Sequence, residues 1–223
     1  MNPNQTPHFN VNLKRRSMLR SLAALTPAAL YAPGLLAEYL ETPASTEGPF
    51  YPDNMPLDTD NDLLRLNDSL TPAVGVITHL TGQVFNANGS PARHSVVEIW
   101  QADAGGAYIH SGTINKDKQD KNFQGFGRFL TDSQGRYYFR TIRPIQYPGR
   151  TAHIHFAVLQ NEKRALTSQF YVKGHPGNTN DRLYNGTPNK ERLLVDFAAI
   201  PDSPIGELAA NFNIVLGETP AEA

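Results

Sequence analysis

Cysteine is absent from this 223-residue chain, which removes disulfides, thiolate metal sites and cysteine nucleophiles together. A metal bound here must rest on His, Tyr, Asp or Glu. Charge of one sign is also lacking: 20 basic and 21 acidic residues are interspersed and sum to a formal −1. With no basic stripe there is no electrostatic footprint for nucleic acid or an anionic membrane, so the expected partner is a small molecule. The apolar stretch from Leu22 to Leu36 is interrupted by Pro27 and Pro33, too short and broken for a membrane-spanning helix. Internal repeats and low-complexity tracts are missing as well, and at this length a single core is the default.

What is present begins with a leader-like segment. "LKRRSMLRSLAALTPAALYAPGLLAEY" has a basic start at Arg15 and Arg16, then modest apolar character, then Ala37 as a cleavage point. RRSMLR resembles the twin-arginine export pattern, with Met18 where Phe is more usual and Lys14 where Ser or Thr is expected. Residues 1–37 are therefore read as an export-type leader that sends the protein to the periplasm or beyond. The alternative is a cytoplasmic protein with a basic amphipathic N-terminal helix. Residues 38–74 lack periodicity and are rich in Pro, Asp and Asn; they are expected to form an extended arm laid over the domain.

From Gly75 the pattern changes. Short β-branched and aromatic runs ("GVITHLTGQVF", "SVVEIWQA", "GRFLTD", "RYYFRTI", "RTAHIHFAVL", "LTSQFYV", "RLLVDF", "NFNIVL") alternate with turn residues such as "NANGSP" and "SQG". About eight strands with no long helical period between them predict an all-β domain over 75–217, an antiparallel two-sheet β-sandwich, followed by a tail at 218–223. Ile109 to Gln124 reads as a long surface loop, and loops of that length are usually functional or disordered.

In "RTAHIHFAVL" the side chains of His153 and His155 share one face of a strand. Two imidazoles so placed can bind one metal, or can be satisfied histidines on a solvated face. A cupin-type iron site, which also begins with HxH, fits poorly, because the following Glu and third His are misplaced.

The company of these histidines resembles a known family. "TPASTEGPFYPDN" (42–54), "VVEIWQADAGGAYIH" (96–110), "NFQGFGRFLTDSQGRYYFRTIRPIQYPGRTAHIHF" (122–156) and "LTSQFYVKGHP" (166–176) are similar to the intradiol ring-cleavage dioxygenases, in order, from about Thr42 to Leu216. The resemblance implies a β-sandwich carrying Fe(3+), with Tyr108, Tyr147, His153 and His155 as ligands. It also implies a catechol-type substrate and O2, both oxygen atoms entering the product and the ring opening between its two hydroxyls to a muconate-type dicarboxylate. Phenolate oxygens are hard, strongly donating anions that suit a trivalent iron. By the same resemblance Tyr147 leaves the metal to act as base, Arg150 stabilises negative charge on the substrate, and Gln169 lines the pocket. Taken singly, Arg150 could be a surface arginine, Gln169 an outward strand residue, and both tyrosines loop aromatics with bonded hydroxyls.

Other residues read as structural. Trp100 is expected at a sheet margin, Gly105 and Gly106 in the turn that presents Tyr108, and Asp132 in turn chemistry. His110 and His175 stay outside the metal set. The segment from Tyr147 to His153 is shorter than in the family's protocatechuate and catechol branches, and Gly149 stands where the former carries a bulky aromatic. The pocket is expected to be open on that side. Only the arm precedes the sandwich, and the short YPGRTAHIH form resembles a secreted, single-domain branch, with a homo-oligomer as a further expectation. The rival readings are a non-catalytic binding module and the iron-free partner subunit of a two-subunit dioxygenase.

Overall fold

Turn residues and strand runs fold as two sheets in the computed structural model, which describes residues 40–66 and 70–217. The expected leader at 1–37 and tail at 218–223 lie outside the described residues. Ten strands are formed among the described residues: β1 (Ile77–Phe85), β2 (Val96–Trp100), β3 (Phe126–Leu130), β4 (Arg136–Ile142), β5 (His153–Gln160), β6 (Lys163–Val172), β7 (Leu194–Val195), β8 (Phe197–Ala199), β9 (Leu208–Asn211) and β10 (Ile214–Val215). One five-residue helix, α1 (Arg182–Gly186), and short 3-10 turns fill the link between β6 and β7. Among the described residues no helix is long and apolar enough to cross a membrane.

One sheet runs β10-β1-β9-β8 with β4 on the other side of β1; the second runs β3-β2-β5-β6-β7. Both are mixed rather than wholly antiparallel. The hairpin-linked pair β5–β6 is antiparallel, whereas β1 runs parallel to β9 and β10, and β6 parallel to β7. The physical reason is the excursion through α1: parallel neighbours need a long crossover, and residues 173–193 provide one between β6 and β7.

β1 alternates, burying Thr78, Leu80 and Val84 in turn, as a half-buried strand should. Its inward residues meet Phe139 of β4, Val97 and Ile99 of β2, Ile154, Phe156 and Val158 of β5, and Phe170 of β6 in one core between the sheets. β2 and β5 behave differently, being buried on both faces. Their second face carries Trp100, His153, His155 and Ala157, with Phe126 of β3 beside Trp100, and Tyr108 and Tyr147 join that cluster from loops.

The arm supplies much of that cover. Its backbone bonds to β6 through Ser45 N–H and Thr167 C=O, and to β4 through Leu63 N–H and Arg140 C=O. Leu63 and Leu64 are buried in the main core, and Phe50 and Tyr51 lie against the second cluster. The Ile109–Gln124 segment is an exposed loop only in part, since Thr113, Phe123 and Gln124 are buried.

Candidate metal centre

The strand period places His153 and His155 side by side, and their Nε2 atoms lie 3.1 Å apart. Two loops bring tyrosines to the same point. Tyr108 Oη is 3.3 Å from His153 Nε2 and 3.5 Å from Tyr147 Oη. Tyr108 is presented by a turn that buried Asp103 organises, its carboxylate accepting from the backbone N–H groups of Gly105, Ala107 and Asp120. Gly106 adopts φ +80° there, a conformation only glycine enters freely. Tyr147 opens a tight turn: Arg150 N–H donates to Tyr147 C=O at 3.0 Å, Pro148 follows, and Gly149 has φ +84°, the pattern of a type II turn. A Cβ on Gly149 would meet nothing within 4 Å.

The donor set suits a cation. His153 Nδ1 faces the Thr151 carbonyl at 2.6 Å; a carbonyl only accepts, so Nδ1 carries the proton and Nε2 keeps its lone pair. Burial, helped by the Arg150 charge, pushes the His153 pKa down to about 3. Burial, His153 and Arg150 hold that of His155 well below its ordinary value. Both imidazoles are therefore neutral. Burial and the neighbouring Tyr147 push Tyr108 well above the ordinary phenol range. Burial also raises Tyr147, with partial relief from the Tyr108 hydrogen bond and Arg150. Without a cation the cluster is uncharged; a strongly charged one would displace the phenol protons.

Arg150 stands beside this cluster. Its Nε donates to Asp181 at 2.9 Å and its Nη2 to Gln169 Oε1 at 2.5 Å. Burial works against its charge, and Asp181 more than offsets this. Gln169 is spent within the protein, with Nε2 donating to Thr46 C=O and Oε1 also accepting from Tyr171 Oη. These contacts tie Gln169 to both Arg150 and the arm.

Sequence reasoning missed Asp181, which caps α1 through Tyr184 N–H and also accepts from Thr151 N–H. Its signal, an acidic residue just before a short helix, was visible only as a cap. Trp100, the last residue of β2, is packed as expected at the end of its strand; it is fully buried and stacked on His155. Asp132 does serve a turn, accepting from Gln134 and Arg136 N–H groups. His175 meets Thr151 and Gly177, and His110 lies near Asp53; neither faces the four donors through any hydrogen bond to them.

Residues 46–218 match the family described as Dioxygenase. The chain is 35% identical over 167 residues to the protocatechuate 3,4-dioxygenase beta chain of Burkholderia cepacia, covering 70% of this chain and 71% of that one. It is 30% identical over 212 residues to the catechol 1,2-dioxygenase of Acinetobacter baylyi, covering 80% of this chain and 65% of the relative. The dioxygenase domain of a dioxygenase carbohydrate-binding protein fusion from Streptomyces sp. SirexAA-E superposes with a TM-score of 0.62 at 30% identity, over 80% of this chain and 99% of that domain. The intradiol ring-cleavage dioxygenase from Tetranychus urticae shares the fold, with a TM-score of 0.64 at 22% identity.

Proposed function

The chain belongs to the intradiol ring-cleavage dioxygenases, and from that premise we propose that Tyr108, Tyr147, His153 and His155 hold a ferric ion at which a catechol-type substrate is opened. The observation that carries this is a run of three close contacts that links the four donors: Tyr147 Oη to Tyr108 Oη at 3.5 Å, Tyr108 Oη to His153 Nε2 at 3.3 Å, and His153 Nε2 to His155 Nε2 at 3.1 Å. The product is a muconate-type dicarboxylate containing both atoms of O2.

When bound, the ferric ion supplies Lewis acidity that draws electron density from the substrate oxygens. The remaining roles belong to the chain. His153, its tautomer set by Thr151, and His155 remain neutral donors. Tyr108 sits deepest, fixed by Thr113 on its N–H and Gln119 on its C=O. Tyr147, on the turn with open space beside it, is the donor suited to give way and accept a substrate hydroxyl proton. Arg150, clamped by Asp181 and Gln169, faces the negative charge that develops on the ring. Arg150 needs the clamp, because a free guanidinium would reorganise as charge builds.

Iron content and the visible spectrum of purified protein test the metal reading, followed by oxygen uptake with catechol, protocatechuate and hydroxyquinol. Tyrosinate-to-iron charge-transfer colour, bleached or shifted by one of the three, is the expected result. Colourless, iron-free protein from iron-replete cells would falsify it. We further propose export of the protein, supported by the RRSMLR leader; cell fractionation with N-terminal sequencing tests this.

A further inference from the structure

A ligating imidazole is ordinarily oriented by a hydrogen bond from its far nitrogen to a carbonyl, carboxylate or water. His153 obeys, through Thr151. His155 does not: its Nδ1 is buried and has no hydrogen-bond partner among the described residues. What it has is a face. The indole of Trp100 lies 5.0 Å from the His155 ring, centroid to centroid, with 10° between the planes. The two residues are directly opposed in the β2–β5 ladder, so the register itself sets the stack. From the arm, Gly48 approaches so closely that a Cβ there would lie 3.2 Å from His155 Cε1.

The Trp100 indole is itself held without a side-chain hydrogen bond: its Nε1 is buried and has no partner among the described residues, although buried indoles usually find an acceptor. Tyr51 meets it edge-on at 5.0 Å and 87°. The Arg164 guanidinium lies 4.5 Å from the Tyr51 centroid and 5.9 Å from that of Trp100. Buried Glu98 accepts from Tyr51 Oη at 3.0 Å and pairs with Arg164 and Arg128. The result is a column from Glu98 and Arg164 through the aromatic rings to His155.

We propose that Trp100 is a positioning residue for the metal centre, holding His155 by its ring face in place of the usual hydrogen bond to the far nitrogen. This rests on the metal-centre reading above, but the contact can be tested apart from it. Trp100 is the only tryptophan in the chain, so its emission reports the stack directly. In metal-free protein, His155→Ala is expected to shift the emission maximum and lifetime while His153→Ala leaves both near wild type; equal responses would overturn the stack as the specific contact.

In iron-loaded protein, Trp100→Leu is expected to release iron to a chelator about 10- to 100-fold faster than wild type and to broaden the ferric paramagnetic resonance signal. Trp100→Phe, which keeps a flat ring, is expected to restore most of the retention and the narrow signal. A folded Trp100→Leu protein with wild-type retention and signal would overturn the proposal. If the Leu variant does not fold, the Phe variant and the fluorescence comparison still decide. Wild-type protein that never takes up iron would end the metal-centre reading instead, with the fluorescence result standing on its own.

Discussion

Asp181 accepts from two backbone N–H groups and from the Arg150 guanidinium while almost wholly buried. Burial opposes its charge, yet those partners hold its pKa below the ordinary carboxylate value, so it is ionised at neutral pH. Asp181→Asn keeps the shape and removes the charge. We expect the variant to retain iron while kcat falls by up to about 100-fold, the lower end of the loss seen when a charge-stabilising donor is removed outright; steady-state kinetics beside a metal assay would show the split. Tyr147→Phe removes the proposed anionic ligand and base, and His155→Ala a proposed neutral ligand. Each is expected to lose charge-transfer colour and activity together, read from the visible spectrum and oxygen uptake. At this scale the four proposed ligands could be nominated from sequence through a family resemblance whose motifs are local, GGAY, QYP and HIH. Asp181 was not, because its partner Arg150 is 31 positions away and nothing in the DRLYNG stretch announces that meeting.

The element that sets Tyr147 is the turn 147–150. Gly149 holds φ +84° with free space where a side chain would go, so Gly149→Ala costs backbone strain and no clash. We expect about 1 kcal/mol of destabilisation, seen as a lower midpoint in urea, with a larger fractional loss of activity as Tyr147 is re-aimed. Strands were legible through period-two alternation in β1 and β4 and through turns such as Asp132–Gly135. The parallel pairings were not. Whether β7 to β10 return as hairpins or through crossovers depends on where the excursion through α1 delivers the chain, and local pattern does not encode that. The two-sided burial of β2 and β5 escaped for a related reason: apolar runs such as VVEIW read alike whether the second face meets solvent or an arm.

For the whole molecule, the neutral histidines make the metal-free protein acid-sensitive. His153 has a folded pKa of about 3 against an ordinary 6.5. Between those values the unfolded chain binds a proton that the folded chain refuses, so stability falls as pH drops from about 6.5 toward 3. The loss from His153 alone reaches about 5 kcal/mol at the acid end, measurable as a pH series of urea unfolding; bound iron is expected to oppose it, because metal and proton compete for Nε2. The arm works at the same scale. A chain lacking residues 1–53 loses Phe50, Tyr51 and the bond from Ser45 to β6. Its single tryptophan is expected to emit to the red and its iron to exchange faster, checked by fluorescence and chelator transfer.

Much was settled by the residues alone. Absent cysteine left only oxygen and imidazole donors, the turn and alternation pattern specified a two-sheet β-sandwich, and short motifs shared with a known family nominated Tyr108, Tyr147, His153 and His155 as the proposed site. These are local properties, carried by neighbours a few positions apart. Only the tertiary structure decided how the site is closed and held: the arm over the second face of β2 and β5, Asp181 on Arg150, and Trp100 against the ring of His155. Each joins segments distant in sequence, and the energy that fixes such contacts comes from burial and charge pairing that exist only once the sheets have formed.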